Sequence, residues 1–329
     1  MTWLEDHSPA AHLLHTVAVD FSVAGLGIDL ASIPQVCEVY NVAGAYVFGM
    51  TAEDARAANV DTSRRVVEFS ATLPALVRLV HLSGYRVGGQ DPATVPWSAQ
   101  RRTADYARLG AYEASKVESD AVVQATARQL GVPLTVANPS TVIGDSVTGE
   151  SDQLLGLATT VLDLIAGKLR ALPGGPSTFV PVVTVDYLAR VMALLPTLKE
   201  TRGMSYWILD DVTPALPDLL RLVGEHHQIK VPRLRIPVGL VKVLPVGLTH
   251  ADPETLSFLS ADRYPTGPAI DLARAHGLRH PDVVTSLQRW SEYLAHSAAA
   301  PSTPPGRAEE PPRKARAAGS ARLQLRRRA

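Results

Sequence analysis

Tyr112 and Lys116 stand four residues apart in the segment Gly110-Ala-Tyr112-Glu-Ala-Ser-Lys116. On a helix that spacing puts both side chains on one face, one turn apart. A phenol with an ordinary pKa of about 10 is a poor base at neutral pH. An ammonium within a few ångströms stabilises the phenolate and lowers that value. Such a pair can exchange a proton with a reacting oxygen. The spacing is common by chance, so its weight depends on what surrounds it.

Three other segments surround it in a fixed order. Tyr40-Asn41-Val42-Ala43-Gly44 ends an apolar run at small residues, and Asn59-Val60 lies on the helical pattern that follows. Val80-His-Leu-Ser83-Gly84-Tyr85-Arg86-Val87-Gly88-Gly89 ends another run in a hydroxyl residue, a bulky residue and glycines, which suits a loop that approaches a ligand closely. Downstream, Val136-Ala-Asn138-Pro139-Ser140-Thr141-Val142-Ile143-Gly144-Asp145 runs from an apolar stretch into a polar turn.

The elements that position these residues follow from periodicity. Short apolar runs at Thr16–Phe21, Glu38–Val42, Val77–Leu82 and Leu134–Ala137 read as strands covered on both faces. Helical patterns lie between them, as in a parallel sheet with crossover helices. Thr51 caps the first, with Asp54 three residues on, and Ala55, Ala58, Thr62, Val66 and Phe69 share a face. The second runs from about Gly110 to Gln129, stopped by Gly131 and Pro133. Leu154–Leu169 is a third, and Asp186 opens another after the apolar run Phe179–Val185. From about residue 205 the pattern becomes α+β: strands at Met204–Leu209 and Leu234–Ile236, a helix after Asp218, a helix start at Asp252-Pro253, and a last helix over Pro281–Ala295.

In this order the segments resemble the extended short-chain dehydrogenase/reductase superfamily, which includes NAD-dependent epimerases and dehydratases, over roughly residues 15–295. Pro139-Ser-Thr-Val-Ile-Gly-Asp-Ser146, Thr148-Gly149-Glu150, Pro181-Val-Val-Thr-Val-Asp186 and Asp210-Asp-Val-Thr-Pro214 resemble its thioester-reductase or male-sterility branch. The resemblance implies an α/β fold, a Rossmann-like parallel sheet with crossover helices over residues 1–200, and a smaller α+β substrate-side region over 201–296. It implies an NAD- or NADP-dependent oxidoreductase that transfers hydride to or from a carbonyl, an alcohol or an acyl-thioester-derived substrate. Tyr112 would be the catalytic acid/base; Lys116 would hold the cofactor ribose and lower the Tyr112 pKa. Ala43 and Gly44 would line the cofactor, Asp20 would contact the adenine amino group, and Asn59 would support the active-site backbone. Pro139, Ser140 and Val142 would flank the nicotinamide.

Two departures from the family pattern matter. Counting back from Val87, the catalytic hydroxyl position falls on Gly84; Ser83 is adjacent, and replaces the lost donor only where the strand has turned. A lost carbonyl-polarising donor weakens transition-state binding by ~2–4 kcal/mol. Asn41 also stands where the family usually has His. The larger departure is the glycine-rich strand–turn–helix that cradles the pyrophosphate. Gly25-Leu26-Gly27 has no third glycine in step and no helix behind it. One βαβ unit, on the order of 30 residues or more, is expected to be missing, leaving the Glu38–Val42 strand as an exposed edge. Three consequences stay open: an oxidoreductase whose true start lies upstream, a truncated or decayed inactive relative, or a module that binds a small molecule or partner without turnover. The choice between NAD and NADP belongs to the absent unit.

Composition narrows the classes. Hydrophobic residues make up 46% and charged residues 19%, a globular balance. Lys+Arg and Asp+Glu both total 32, which argues against a nucleic-acid binder. One cysteine, Cys37, excludes an internal disulfide and a multi-cysteine zinc site, and it is expected to be buried. Without an apolar run of membrane length or a leader pattern the expectation is a cytoplasmic protein. Residues 297–329 read as a disordered basic tail, with eight basic and two acidic residues from 301 onward. Its sequence suits either a solvated tail or contact with a polyanionic surface. His226-His227 after Glu225 points in divergent directions on a helix and is read as a solvent-facing end, with no metal. No Gly-x-Ser-x-Gly nucleophile elbow is present.

Overall fold

The computed structural model describes residues 11–152, 156–236 and 258–299. Four parallel strands form the main sheet in the order β1 (Glu38–Asn41), β2 (Arg78–Leu82), β3 (Leu134–Pro139), β7 (Ser205–Ile208). Tyr40 pairs with Val80, Val80 with Thr135, and Ala137 with Tyr206. Two short parallel ribbons flank it: β4 (Thr141–Ile143) with β6 (Val182–Thr184), and β5 (Leu172–Pro173) with β8 (Arg235–Ile236). The helices are α1 (Ala52–Ala55), which runs through a π-helical stretch, Arg56–Asp61, into α2 (Thr62–Ala71), then α3 (Ala99–Leu109), α4 (Ala111–Leu130), α5 (Leu157–Ile165), α6 (Val185–Leu194), α7 (Leu216–His226), α8 (Gly267–Ala275) and α9 (Val283–Ala299).

Successive strand residues enter different cores, as a sheet covered on both faces requires. Leu79, Leu134 and Val136 pack with Val66, Val67 and Phe69 of α2 and Val123 and Ala127 of α4. Val80, Ala137, Tyr206 and Ile208 pack on the opposite face with α6 and α8. A further core, built around Leu219, Leu220, Leu287, Trp290 and Leu294, joins α5, α7 and α9 to the ribbons, so it draws on residues from both sides of position 200.

The parallel α/β architecture is as expected, and the sheet continues past residue 200, because β7 is its fourth strand. Thr16–Phe21 forms no strand; Val17 and Val19 are 51% and 44% exposed. Among the described residues no strand pairs with the outer edge of β1, so an extended segment before it has nothing to bond to. Cys37 is exposed rather than buried, since it precedes that same open edge. The Asp252-Pro253 helix start and the tail from residue 300 lie outside the described residues, as does the beginning of the Leu154–Leu169 pattern, whose described part is α5. No described helix is long and apolar enough to cross a membrane.

Candidate active site

A cleft of about 430 Å³ opens at the carboxyl ends of β1, β2 and β3, the end of an α/β sheet where ligands bind. One wall is Val42–Tyr46 after β1, Ser83–Val87 after β2, and Pro139–Val142, from the last residue of β3 into β4. Tyr112, Glu113 and Lys116 project into it from the first two turns of α4. The opposite wall is apolar: Leu157, Val180, Leu216, Phe258, Leu259 and Trp290.

The start of α4 is set by Gly110, whose φ of 84° breaks the path from α3; a side chain there would be strained. Tyr112 begins a helical turn whose Ser115 hydroxyl donates back to the Tyr112 carbonyl at 2.8 Å. Its ring lies edge-on to Tyr46 and Phe48, with centroids 5.0 and 5.1 Å away. Burial pushes the phenol above its usual range, and the neighbouring Tyr46, Glu113 and Tyr85 add to the rise. The expected lowering by Lys116 is therefore not what dominates: desolvation in an aromatic enclosure favours the neutral phenol. Lys116 is itself lowered by burial, opposed by Asp120.

Asn59 sits behind the cleft wall, 1% exposed, because the π-helical stretch turns it and Val60 inward. Its Oδ1 accepts from the Ala45 amide and its Nδ2 donates to Ser115, both at 2.9 Å. Gly44 fits between these groups: a Cβ there would lie 3.4 Å from Asn59 Oδ1 and 3.6 Å from Lys116 Nζ. Asn41 accepts from the Ala43 amide at 3.2 Å, which aims its Nδ2 at His81 Nδ1, 3.0 Å away on the adjacent strand. Burial, and then Lys116, push His81 down to about 3, so it is neutral.

Of the residues singled out in the sequence, Ala43, Gly44, Ser83, Tyr112, Lys116, Pro139, Ser140 and Val142 share this cleft. Asp20 does not join them; it is exposed and accepts from Ser22 N and Ser22 Oγ at 2.7 and 2.6 Å. Ser83 and Gly84 both line the cleft, although bonding to β3 continues past the end of β2, the Ser83 amide donating to the Ala137 carbonyl at 2.8 Å and the Tyr85 amide to the Pro139 carbonyl at 3.0 Å. Sequence reasoning missed the Arg86–Glu113 pair, 3.1 Å apart on the cleft wall; Glu113, next to Tyr112, was the signal for it. His226 and His227 bond Glu292 and Ser291 of α9 at 2.7 and 2.9 Å, docking the end of α7 on α9. No cluster of metal-ligating side chains occurs among the described residues.

The cleft fits one half of a nicotinamide dinucleotide. Small residues line the wall at 43–45, Lys116 offers a donor beside them, and the buried Ser140 hydroxyl beside Val142 has no partner. The described residues offer no matching pyrophosphate cradle. Ala24–Gly27 is a single short turn with positive φ at Gly25, Leu26 and Gly27, and no helix opens behind it.

Sheet, crossover helices and a Tyr–Lys helix at the strand ends define a Rossmann-like α/β protein of the short-chain dehydrogenase kind. The chain belongs to the male sterility protein family, whose NAD-binding model matches residues 2–192. Among solved structures it resembles the terminal R domain of the myxalamid PKS-NRPS pathway (TM-score 0.66, 18% identity, 88% of this chain and 77% of that one). It also resembles UDP-glucuronic acid 4-epimerase from Bacillus cereus in complex with UDP-glucuronic acid and NAD (TM-score 0.60, 14% identity, 84% and 81%). A third is an archaeal thiolation-reductase di-domain (TM-score 0.56, 17% identity, 80% and 58%). No curated protein matches the chain.

Proposed function

We propose that this chain is a nicotinamide-dependent reductase of a carbonyl group, with an acyl-thioester-derived compound as its substrate class. The observation that carries the reading is the placement of Tyr112 and Lys116, one turn apart on α4, on the cleft wall beside Gly44 and Ser140. The cofactor, when bound, supplies the hydride. Tyr112 gives its phenolic proton to the oxygen that gains the electron pair, and Ser83, on the same cleft wall, is the hydroxyl assigned to polarise that oxygen. Lys116 holds the cofactor ribose. Burial keeps Tyr112 protonated at neutral pH, the form a reduction needs and an alcohol oxidation does not.

The opposite wall supports a neutral, largely apolar substrate over a nucleotide sugar. Among the described lining residues the charged side chains are Arg86, Glu113 and Lys116; Arg86 and Glu113 close on each other and Lys116 is assigned to the cofactor ribose, which leaves no cation for a diphosphate. The second reading, ligand binding without turnover, draws on the missing pyrophosphate cradle among the described residues.

Replacing Tyr112 with Phe tests the assignment. The expected result is loss of hydride transfer by at least ~100-fold with cofactor binding, followed by nicotinamide fluorescence, unchanged. Equal turnover by the two proteins would remove Tyr112 from the reaction. Binding of substrate by both without turnover by either would favour the second reading.

A further inference from the structure

The structure assigns a positioning role to Asp120, one turn beyond Lys116 on α4: its buried carboxylate ties the loop that carries Ser83 to the helix face that carries Lys116. The tie is a matter of contacts; its bearing on catalysis rests on the reading of Lys116 given above.

Asp120 is 1% exposed. Its Oδ2 accepts from the Gln90 amide at 2.9 Å and from Gln124 Nε2 at 2.8 Å. Gln124 Nε2 also donates to the Gln90 carbonyl at 3.1 Å, and Gln90 Nε2 donates to the Val87 carbonyl at 3.0 Å. The carboxylate, Gln124 and Gln90 thus form a closed set of bonds that pins the far end of the loop after β2, whose near end is Ser83. Asp120 Oδ1 is buried with no hydrogen-bond partner. A buried carboxylate oxygen without a donor costs free energy unless a nearby cation offsets it.

Lys116, four residues earlier and so on the same face of α4, is the cation on that side of the helix. Burial raises Asp120, while the Gln90 amide, the Ser83 and Gln124 side chains and the Lys116 charge hold it down. In return Asp120 supports the Lys116 ammonium, which burial lowers. The other titratable groups facing Lys116 are Tyr112 on the same helix, held neutral, and His81 on β2, also neutral. Gly44 and Asn59 face it from the segment after β1 and from the π-helical stretch, and bring no charge. The buried carboxylates elsewhere on α4 are committed: Glu113 to Arg86, and Glu118 to Arg56, Arg102 and Tyr106. Among the described residues Asp120 is therefore the counter-charge of Lys116.

The test is a pH titration of the full chain by NMR, following the Lys116 side-chain nitrogen and the Gln90 amide in wild type, Asp120→Asn and Asp120→Glu. The expected result is a Lys116 midpoint at least one pH unit lower in Asp120→Asn, a tenfold loss of proton affinity, with most of it restored in Asp120→Glu. An unchanged Lys116 midpoint in folded Asp120→Asn overturns the proposal. If the Asn variant does not fold, wild type decides: the Gln90 amide signal must move with the ionisation of the Asp120 carboxyl, and a flat signal overturns the tie. These readouts need neither cofactor nor substrate, so a chain that fails to turn over counts against the reductase reading alone. Where turnover is measured, kcat of Asp120→Asn falls off at lower pH than wild type, because the ammonium is lost sooner as pH rises.

Discussion

The Asn59 amide reaches from the π-helical stretch to the Ser115 hydroxyl, 2.9 Å away and one residue before Lys116. With its other atom on the Ala45 amide, it joins the small-residue wall after β1 to the helix that carries Tyr112. The bond to Ser115 is buried and the bond to Ala45 half-buried, and the Ser115 hydroxyl passes the connection on to the Tyr112 carbonyl.

Asn59→Leu is therefore expected to destabilise the fold by about 2–4 kcal/mol, because it strands the Ala45 N–H and removes the donor to Ser115. Asn59→Asp, which keeps the acceptor for Ala45, is expected to cost less. Urea denaturation at pH 7.5 measures both. Equal stability of Asn59→Leu and wild type would mean that the bridge contributes nothing.

His81 and His280 make stability depend on pH. Burial pushes His81 down to about 3 and His280, stacked on Tyr187 at 3.9 Å, down to about 4. Both folded values lie below the unfolded value of about 6.5. Between those limits the unfolded chain binds protons that the folded chain refuses, so stability rises with pH. Above about pH 6.5 neither residue contributes to the slope. As pH falls from 6.5 toward 4, each removes up to about 1.4 kcal/mol per unit. His280→Phe keeps a ring against Tyr187 and should shed one of the two contributions. Denaturation midpoints at pH 7.5 and 5 check this, and equal pH sensitivity of variant and wild type would contradict it.

How much of this was legible in the sequence depends on how local each signal is. Tyr112, Ser115 and Lys116 lie on one uninterrupted helix, so their spacing alone put Tyr112 and Lys116 on one face. Thr51 and Asp54 likewise read correctly as a helix start, with the Asp54 amide donating to Thr51 at 3.1 Å. The π-helical stretch was not legible, because an extra residue per turn leaves no mark in a 3.6-residue pattern, although Asn59 was still picked out from the resemblance. Ala99–Leu109 escaped notice because most of it is polar and only Tyr106 is buried. Thr16–Phe21 has a strand's composition, yet strand formation is decided by a neighbour, which local sequence does not contain. Asp120 was hidden for a related reason: its hydrogen-bond partners Gln90 and Gln124 carry no charge and no motif, and only its four-residue spacing from Lys116 was there to read.

Gly84 offers the sharpest test of the reductase reading, because it asks for a gain. The position is where the family pattern places a hydroxyl, and it lines the cleft. A Cβ built there meets only the Val87 Cγ2 methyl at 3.4 Å, and its φ lies outside the positive region, so serine fits without strain. If Ser83 is a poor substitute donor, Gly84→Ser adds a hydrogen bond to the developing oxyanion and should raise kcat by about 10–100-fold. If Ser83 already supplies that bond, Gly84→Ser changes little, while Ser83→Ala lowers kcat by a similar factor. Steady-state kinetics on the two single variants and the double variant separate these cases. A cleft in which neither Gly84→Ser nor Ser83→Ala alters kcat has no donor at this strand end, and carbonyl polarisation would then have to come from Tyr112 alone.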